Sequence, residues 1–159
     1  MRAVIQRVRR GAVSVAESAV GQIGPGLVIF LGVGKGDTEE DVGWMADKIA
    51  HLRIFEDDDG RMARSLLEVG GEALVISQFT LYGDVRKGRR PDFTAAAGAG
   101  EAETIYNRFI QRLRGHAISV QAGVFGARML VRLENDGPVT LIVETGGLRT
   151  EDRGLRTED

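Results

Sequence analysis

The chain has 159 residues, 43% of them hydrophobic, which suits one globular domain with a core of its own. It contains no cysteine, so disulfides, thiolate metal sites and cysteine nucleophiles are excluded. A formal net charge of -2 argues against a protein that coats nucleic acid, yet permits gripping a short RNA through a local basic patch.

Met1 to Val8 enters a strand pattern directly, without the apolar h-region of a signal peptide. No apolar run approaches the roughly 20 residues that span a bilayer. A cytoplasmic location without a membrane partner is therefore expected. Residues 2–10 read as a first strand and 12–16 as a second, with Val13 and Val15 on one face. Gly24-Pro25-Gly26 is a turn that launches Leu27 to Val33, the most apolar run and the expected central strand. Asp37, with Glu40 three positions on, signals a helix start. That helix is expected to reach about Leu52, with Val42, Met45, Ile49 and Leu52 facing the core.

Asp57-Asp58-Asp59-Gly60 is a carboxylate-rich turn that lacks the ligand spacing and distal glutamate of a calcium loop. Gly70-Gly71 turns the chain into Ala73-Leu74-Val75-Ile76, a continuous apolar run expected to be buried on both faces. Ser77, Gln78 and Thr80 then place hydroxyls and an amide where an apolar residue should follow. Buried polar groups need partners. Either these side chains bond their own backbone as the strand frays, or the strand end forms a site.

Arg86-Lys87-Gly88-Arg89-Arg90-Pro91 is the densest positive cluster, readable as a solvated loop or as a phosphate contact. Residues 94–100 read as a linker, and a second helix is expected from Glu101 to Gly115 with Ile105, Phe109 and Leu113 buried. In residues 127–133, Ala127, Met129, Val131 and Leu133 share one face, opposite Arg128 and Arg132. Asn135-Asp136-Gly137-Pro138 reads as a tight connection to a partner strand over residues 139–143. The polar unit at 147–153 is repeated at 154–159, so the chain divides into a domain of residues 1–146 and a short repeated tail, 147–159.

Two common chemistries fail on the residues. Gly32-Val33-Gly34-Lys35-Gly36-Asp37 lacks the first glycine and the final hydroxyl of a phosphate loop. His51 and His116 fall at helix ends outside any nucleophile motif, and no Gly-x-Ser-x-Gly elbow exists. A histidine-driven serine triad is therefore not expected.

Ser77-Gln78-Phe79-Thr80-Leu81-Tyr82-Gly83 paired with Asn135-Asp136-Gly137-Pro138-Val139-Thr140 resembles the two signatures of the D-aminoacyl-tRNA deacylases, also called D-tyrosyl-tRNA deacylases. The resemblance runs from Met1 to about Glu144 and takes in Gly24-Pro25-Gly26, Leu52-Arg53-Ile54-Phe55, Arg86 to Pro91 and Gly123 to Met129. It departs at Ala63, where the family usually has Asn, and at Arg9-Arg10, where a Ser is often found.

The resemblance implies an α/β fold: a compact single domain of mixed, largely antiparallel sheets with two main helices packed outside. It also implies a homodimer and hydrolysis of the ester joining a D-amino acid, or glycine, to tRNA. No cofactor or metal is implied, and DNA is not an expected partner.

Catalysis is expected at Ser77, Gln78, Phe79 and Thr80, and tRNA contact at Arg86, Lys87, Arg89 and Arg90. Gly137, Pro138 and Met129 are expected to bind substrate and filter chirality, with Gly137-Pro138 a cis peptide serving the partner subunit's site. Two routes are open. Thr80 attacks the ester, or backbone N–H groups near Phe79 and Thr80 hold the oxyanion while the tRNA 2′-hydroxyl assists water; the second needs no missing base. A non-catalytic RNA-binding module, with Phe79 stacking a base, is the alternative from another class. A purely structural dimer leaves the polar cluster unexplained.

Overall fold

The computed structural model describes residues 1–145, and its sheet is built on one long strand, β1 (Arg2–Val15). β2 (Ser18–Ile23) returns antiparallel along the second half of β1, and β3 (Gly26–Gly32) pairs antiparallel with the first half. α1 (Glu39–His51) follows, then the small hairpin β4 (Phe55–Glu56) and β5 (Met62–Arg64), and one turn of helix, α2 (Leu66–Val69). β6 (Glu72–Ser77) joins β3 in parallel and runs into a 3₁₀ turn over Phe79–Tyr82. α3 (Ala99–Gly115) leads to β7 (Ser119–Ala122), parallel to β6, and β8 (Leu130–Glu144) closes the described chain. The sheet order is β2-β1-β3-β6-β7, with β8 on the other side of β1. This is the expected mixed α/β domain, and β3 is central as its apolar run predicts.

Both long helices belong to one layer. Val42, Met45 and Ile49 of α1 and Ile105, Phe109 and Leu113 of α3 are buried against Ala3, Ile5, Leu27, Ile29, Ala73 and Val75. These are the helix stripes that the sequence periodicity predicts. A second cluster, Val8, Val13, Ile23, Val28, Leu74 and Ile76, is covered by Met129, Val131 and Leu133 from the start of β8 and the segment before it. Alternate residues of β3 and β6 thus feed opposite clusters, which is why both strands are apolar throughout.

Several boundaries differ from expectation, each for a local reason. The strands expected at 2–10 and 12–16 are one strand, because Gly11 is a packing position and not a turn. A Cβ there would lie 2.7 Å from Val28 Cγ2. β2, which no sequence signal announces, begins after Ala16 and Glu17 at φ 49° and 68°, a hairpin geometry that ordinarily recruits Asn-Gly. The cap of α1 is Thr38, reciprocally bonded to Asp41, while Asp37 accepts from the Gly34 N–H at 2.7 Å and the Met1 ammonium at 2.8 Å. α3 starts at Ala99 within the expected linker, and the strand expected from Ala127 begins at Leu130.

The largest correction concerns Asn135-Asp136-Gly137-Pro138. It is no hairpin connection, since residues 130–134 and 140–144 both pair with β1 and not with each other. The segment is an irregularity inside β8, where the register shifts between Gln6 and Val8 and again between Val8 and Arg10. Asn135 Nδ2 donates to Arg7 O at 3.0 Å and to Val139 O at 2.9 Å, satisfying carbonyls that the interrupted ladder leaves open. The tail expected at 147–159, and with it the boundary at 146, lies outside the described residues.

Candidate active site

The end of β6 shapes a cleft. Ala73 to Ile76 are buried as their sequence demands, and Gln78 N–H donates to Leu31 O at 2.8 Å to extend the pairing with β3. The chain then tightens into the 3₁₀ turn, with Leu81 N–H donating to Gln78 O and Gly83 N–H to Thr80 O. The amides of Phe79 and Thr80 donate no hydrogen bond among the described residues. They are the first N–H groups of the turn and have no preceding carbonyl in reach.

Beside this turn lies a cavity of about 520 Å³, lined among others by Ser77, Gln78, Phe79, Tyr106, Phe125 and Met129. Gly123 makes room for Met129, since a Cβ there would lie 2.5 Å from the thioether sulfur. Tyr106 is buried and donates its hydroxyl to Val75 O at 3.0 Å, closing the floor. Phe79 is exposed and packs edge-on against Phe93, ring centroids 5.1 Å apart. No histidine or carboxylate is among the described residues that line the cavity. It offers shape, an amide and open backbone donors, but no side-chain base.

Of the residues expected at the site, Ser77, Gln78, Phe79 and Met129 come together here. Thr80 faces outward on the turn, and its hydroxyl oxygen accepts a short hydrogen bond from the Gln78 side-chain amide. Gly137 and Pro138 do not line the cavity; they lie on β8, joined by a cis peptide as expected.

Arg7 braces that segment, a role that no motif in the sequence announces. Its guanidinium donates to Ile54 O at 2.7 Å and to Asp136 O at 3.2 Å, with Glu56 and Asp136 carboxylates 3.7 and 3.8 Å away. The side chain is only 6% exposed. A weaker signal is present: Arg7 shares the inward alternation of Ala3 and Ile5, where a cation needs dedicated partners.

The basic loop projects from a bridge between Asp84 and Asp92, whose paired backbone hydrogen bonds measure 2.7 and 2.9 Å. Phe93 follows that bridge, so its contact with Phe79 ties the loop's base to the cleft. Arg86 is engaged by Asp84 through three hydrogen bonds, two from its guanidinium at 3.0 and 2.7 Å and one from its backbone N–H at 3.0 Å, which hold the Asp84 carboxyl down to about 2. Lys87, Arg89 and Arg90 are exposed and form no ion pair among the described residues.

Burial pushes the Tyr106 phenol up to about 12, and burial together with Asp37 does the same for Tyr82. The folded chain therefore keeps protons that the unfolded chain sheds near pH 10. Stability is expected to be full below pH 10 and to fall as pH rises through 12. Urea midpoints across that range should show the decline, with a shallower one in Tyr106→Phe. An identical decline in that variant would remove Tyr106 as a contributor.

A sequence profile of the family described as D-Tyr-tRNA(Tyr) deacylase matches residues 4–144 of this chain. A D-aminoacyl-tRNA deacylase of Heliobacterium modesticaldum is 58% identical over 92% of this chain and 98% of its own. A solved structure described as c-Myc DNA Unwinding Element Binding Protein superposes with a TM-score of 0.86 at 40% identity, covering 91% of this chain and 99% of its own. A probable eukaryotic D-amino acid tRNA deacylase shares the fold, with a TM-score of 0.78 at 21% identity, covering 89% and 97%.

Proposed function

Because the chain belongs to the D-Tyr-tRNA(Tyr) deacylase family, we propose that it hydrolyses the ester of D-aminoacyl-tRNA, releasing the D-amino acid and free tRNA. One observation carries the reading: the Ser77-Gln78-Phe79 motif walls a cavity at the end of β6, in a chain whose bacterial relative matches almost end to end. Glycyl-tRNA is a further substrate, since glycine has no side chain to exclude. The cytoplasm is the proposed location, where charged tRNA is used, and no helix among the described residues is long and apolar enough to cross a membrane.

In the proposed chemistry the ester carbonyl meets the unbonded N–H groups of Phe79 and Thr80, which stabilise the oxyanion. Water attacks, and the 2′-hydroxyl of the terminal ribose relays the proton that no side chain in the cavity is equipped to accept. Gln78 positions the turn by holding the Thr80 hydroxyl. No step is assigned to a metal or cofactor.

Gly137 and Pro138 are proposed to act across a two-fold interface, fixing the amino and Cα groups in the partner subunit's cavity so that an L side chain has no room. Support comes from β8, which among the described residues pairs only with β1 and leaves an open edge carrying exposed Leu130, Leu141 and Ile142. A long apolar edge of this kind is ordinarily covered. Light scattering should report twice the chain mass, and a fully active monomer would end the dimer reading. The decisive assay is release of amino acid from matched D- and L-aminoacyl-tRNAs. Hydrolysis of the D-form alone is expected, whereas binding without turnover would leave an RNA-binding module.

The basic loop supplies the cations that neutralise tRNA phosphates. Replacing Lys87, Arg89 and Arg90 together with neutral residues should lower the slope of log K against log salt by about 0.7–0.9 for each phosphate left unneutralised. Arg86, already paired with Asp84, should change it least. An unchanged slope in the triple variant would return the loop to solvent.

A further inference from the structure

Away from the cleft, the C-terminal turn of α1 meets the residue that caps α3. Asp47 and His51 are four apart on α1 and therefore share a face. His116, at the C-cap of α3, reaches the same spot. Its Nε2 lies 3.8 Å from Asp47 Oδ1, His51 Nδ1 lies 3.5 Å from that oxygen, and the two rings meet edge-on at 5.4 Å. One ligand atom from each of the three residues falls within 4.8 Å of the other two.

We propose that Asp47, His51 and His116 form a binding site for a zinc-class divalent cation that clamps α1 to α3. Two imidazoles and one carboxylate, without a thiolate, suit zinc, cobalt or nickel, whereas magnesium and calcium prefer oxygen throughout. Tetrahedral bonds of about 2.0–2.1 Å place ligand atoms about 3.4 Å apart. The Asp47, His51 and His116 side chains are 66%, 54% and 27% exposed, which leaves them room to rotate toward a shared ion. Water completes the coordination.

His51 Nδ1 lies 2.8 Å from the Asp47 carbonyl oxygen as well as 3.5 Å from its carboxylate, so the ring already sits over Asp47 and exchanges the carbonyl for the ion when the site fills. None of the three residues lines the cleft. Its role is to hold the helix layer together, independently of ester hydrolysis.

The test uses the untagged full chain and zinc chloride alone, followed by calorimetry and thermal unfolding. One ion per chain is expected, with a Tm rise of about 5–10 °C at a hundredfold excess over Kd. His51→Ala, His116→Ala and Asp47→Asn should each weaken binding at least about tenfold, no less than losing an outer-shell partner does, and cut the rise to about half or less. Without zinc they should melt with the parent, which shows that they fold; magnesium should leave all four proteins unchanged. Absence of saturable zinc binding, or binding undiminished in His116→Ala, would overturn the assignment.

Discussion

A D-aminoacyl-tRNA whose terminal adenosine lacks the 2′-hydroxyl is expected to be hydrolysed about 10²–10⁴-fold more slowly than the natural substrate, the range for losing a positioned proton carrier. Ester cleavage must move a proton from the attacking water to the leaving oxygen. The cavity contains neither imidazole nor carboxylate, and Thr80 is turned outward with its oxygen accepting from Gln78. In the proposed mechanism the vicinal hydroxyl of the substrate does that work. Binding should change little, because one hydrogen bond nets about 0.5–1.5 kcal/mol. Single-turnover kinetics would separate the two effects. Thr80→Ala should keep its rate within about tenfold, below the loss expected of a nucleophile or general base. The opposite pattern, a dead Thr80→Ala that still binds and a 2′-deoxy substrate cleaved at full speed, would make Thr80 the nucleophile.

Arg7→Leu is expected to cost about 2–6 kcal/mol, because it strands two carbonyls at about 1–3 kcal/mol each. Ile54 O is buried and should bear the full cost, while Asp136 is partly exposed and can recruit water. Against a total stability of about 5–15 kcal/mol this is a large fraction. Urea unfolding measures it directly. The functional effect follows from the same hydrogen bonds. Asp136 O is one peptide from Gly137, and a Cβ on Gly137 would lie 2.9 Å from Arg7 Nη2. With the guanidinium gone, the Gly137-Pro138 segment loses its brace, and the proposed discrimination between D- and L-aminoacyl-tRNA should weaken even where folded protein remains. Arg7→Lys keeps the charge but not the fork and should recover part of the stability. A change below about 1 kcal/mol in Arg7→Leu, less than one stranded carbonyl costs, would show that the carbonyls find other partners.

Much of the molecule is legible residue by residue. The apolar runs of β3 and β6, the stripes of α1 and α3 and the abrupt polarity at Ser77 are patterns of near neighbours. Periods of about 3.6 and 2 residues dictate which side chains can share a face. The cavity wall at Ser77, Gln78 and Phe79 is legible in the same way, since polar groups interrupt an otherwise buried strand. Other features have no local imprint. Gly11 reads as a break but lets β1 pass close to Val28, and Ala16-Glu17 turns a hairpin without the residues that usually announce one. Residues 135–138 look like a hairpin, yet β1 takes both flanking segments as a single partner. Arg7 finds its acceptors on Ile54 and Asp136, and His51 meets His116 only because α1 packs on α3. The sequence alone fixes β3, β6, α1 and α3 and the apolar faces of those elements, because such preferences are set within a few residues. Strand partnership, the brace behind Gly137 and the histidine pair were decided by tertiary structure alone, because they depend on which distant backbone groups remain unpaired once the two clusters have packed.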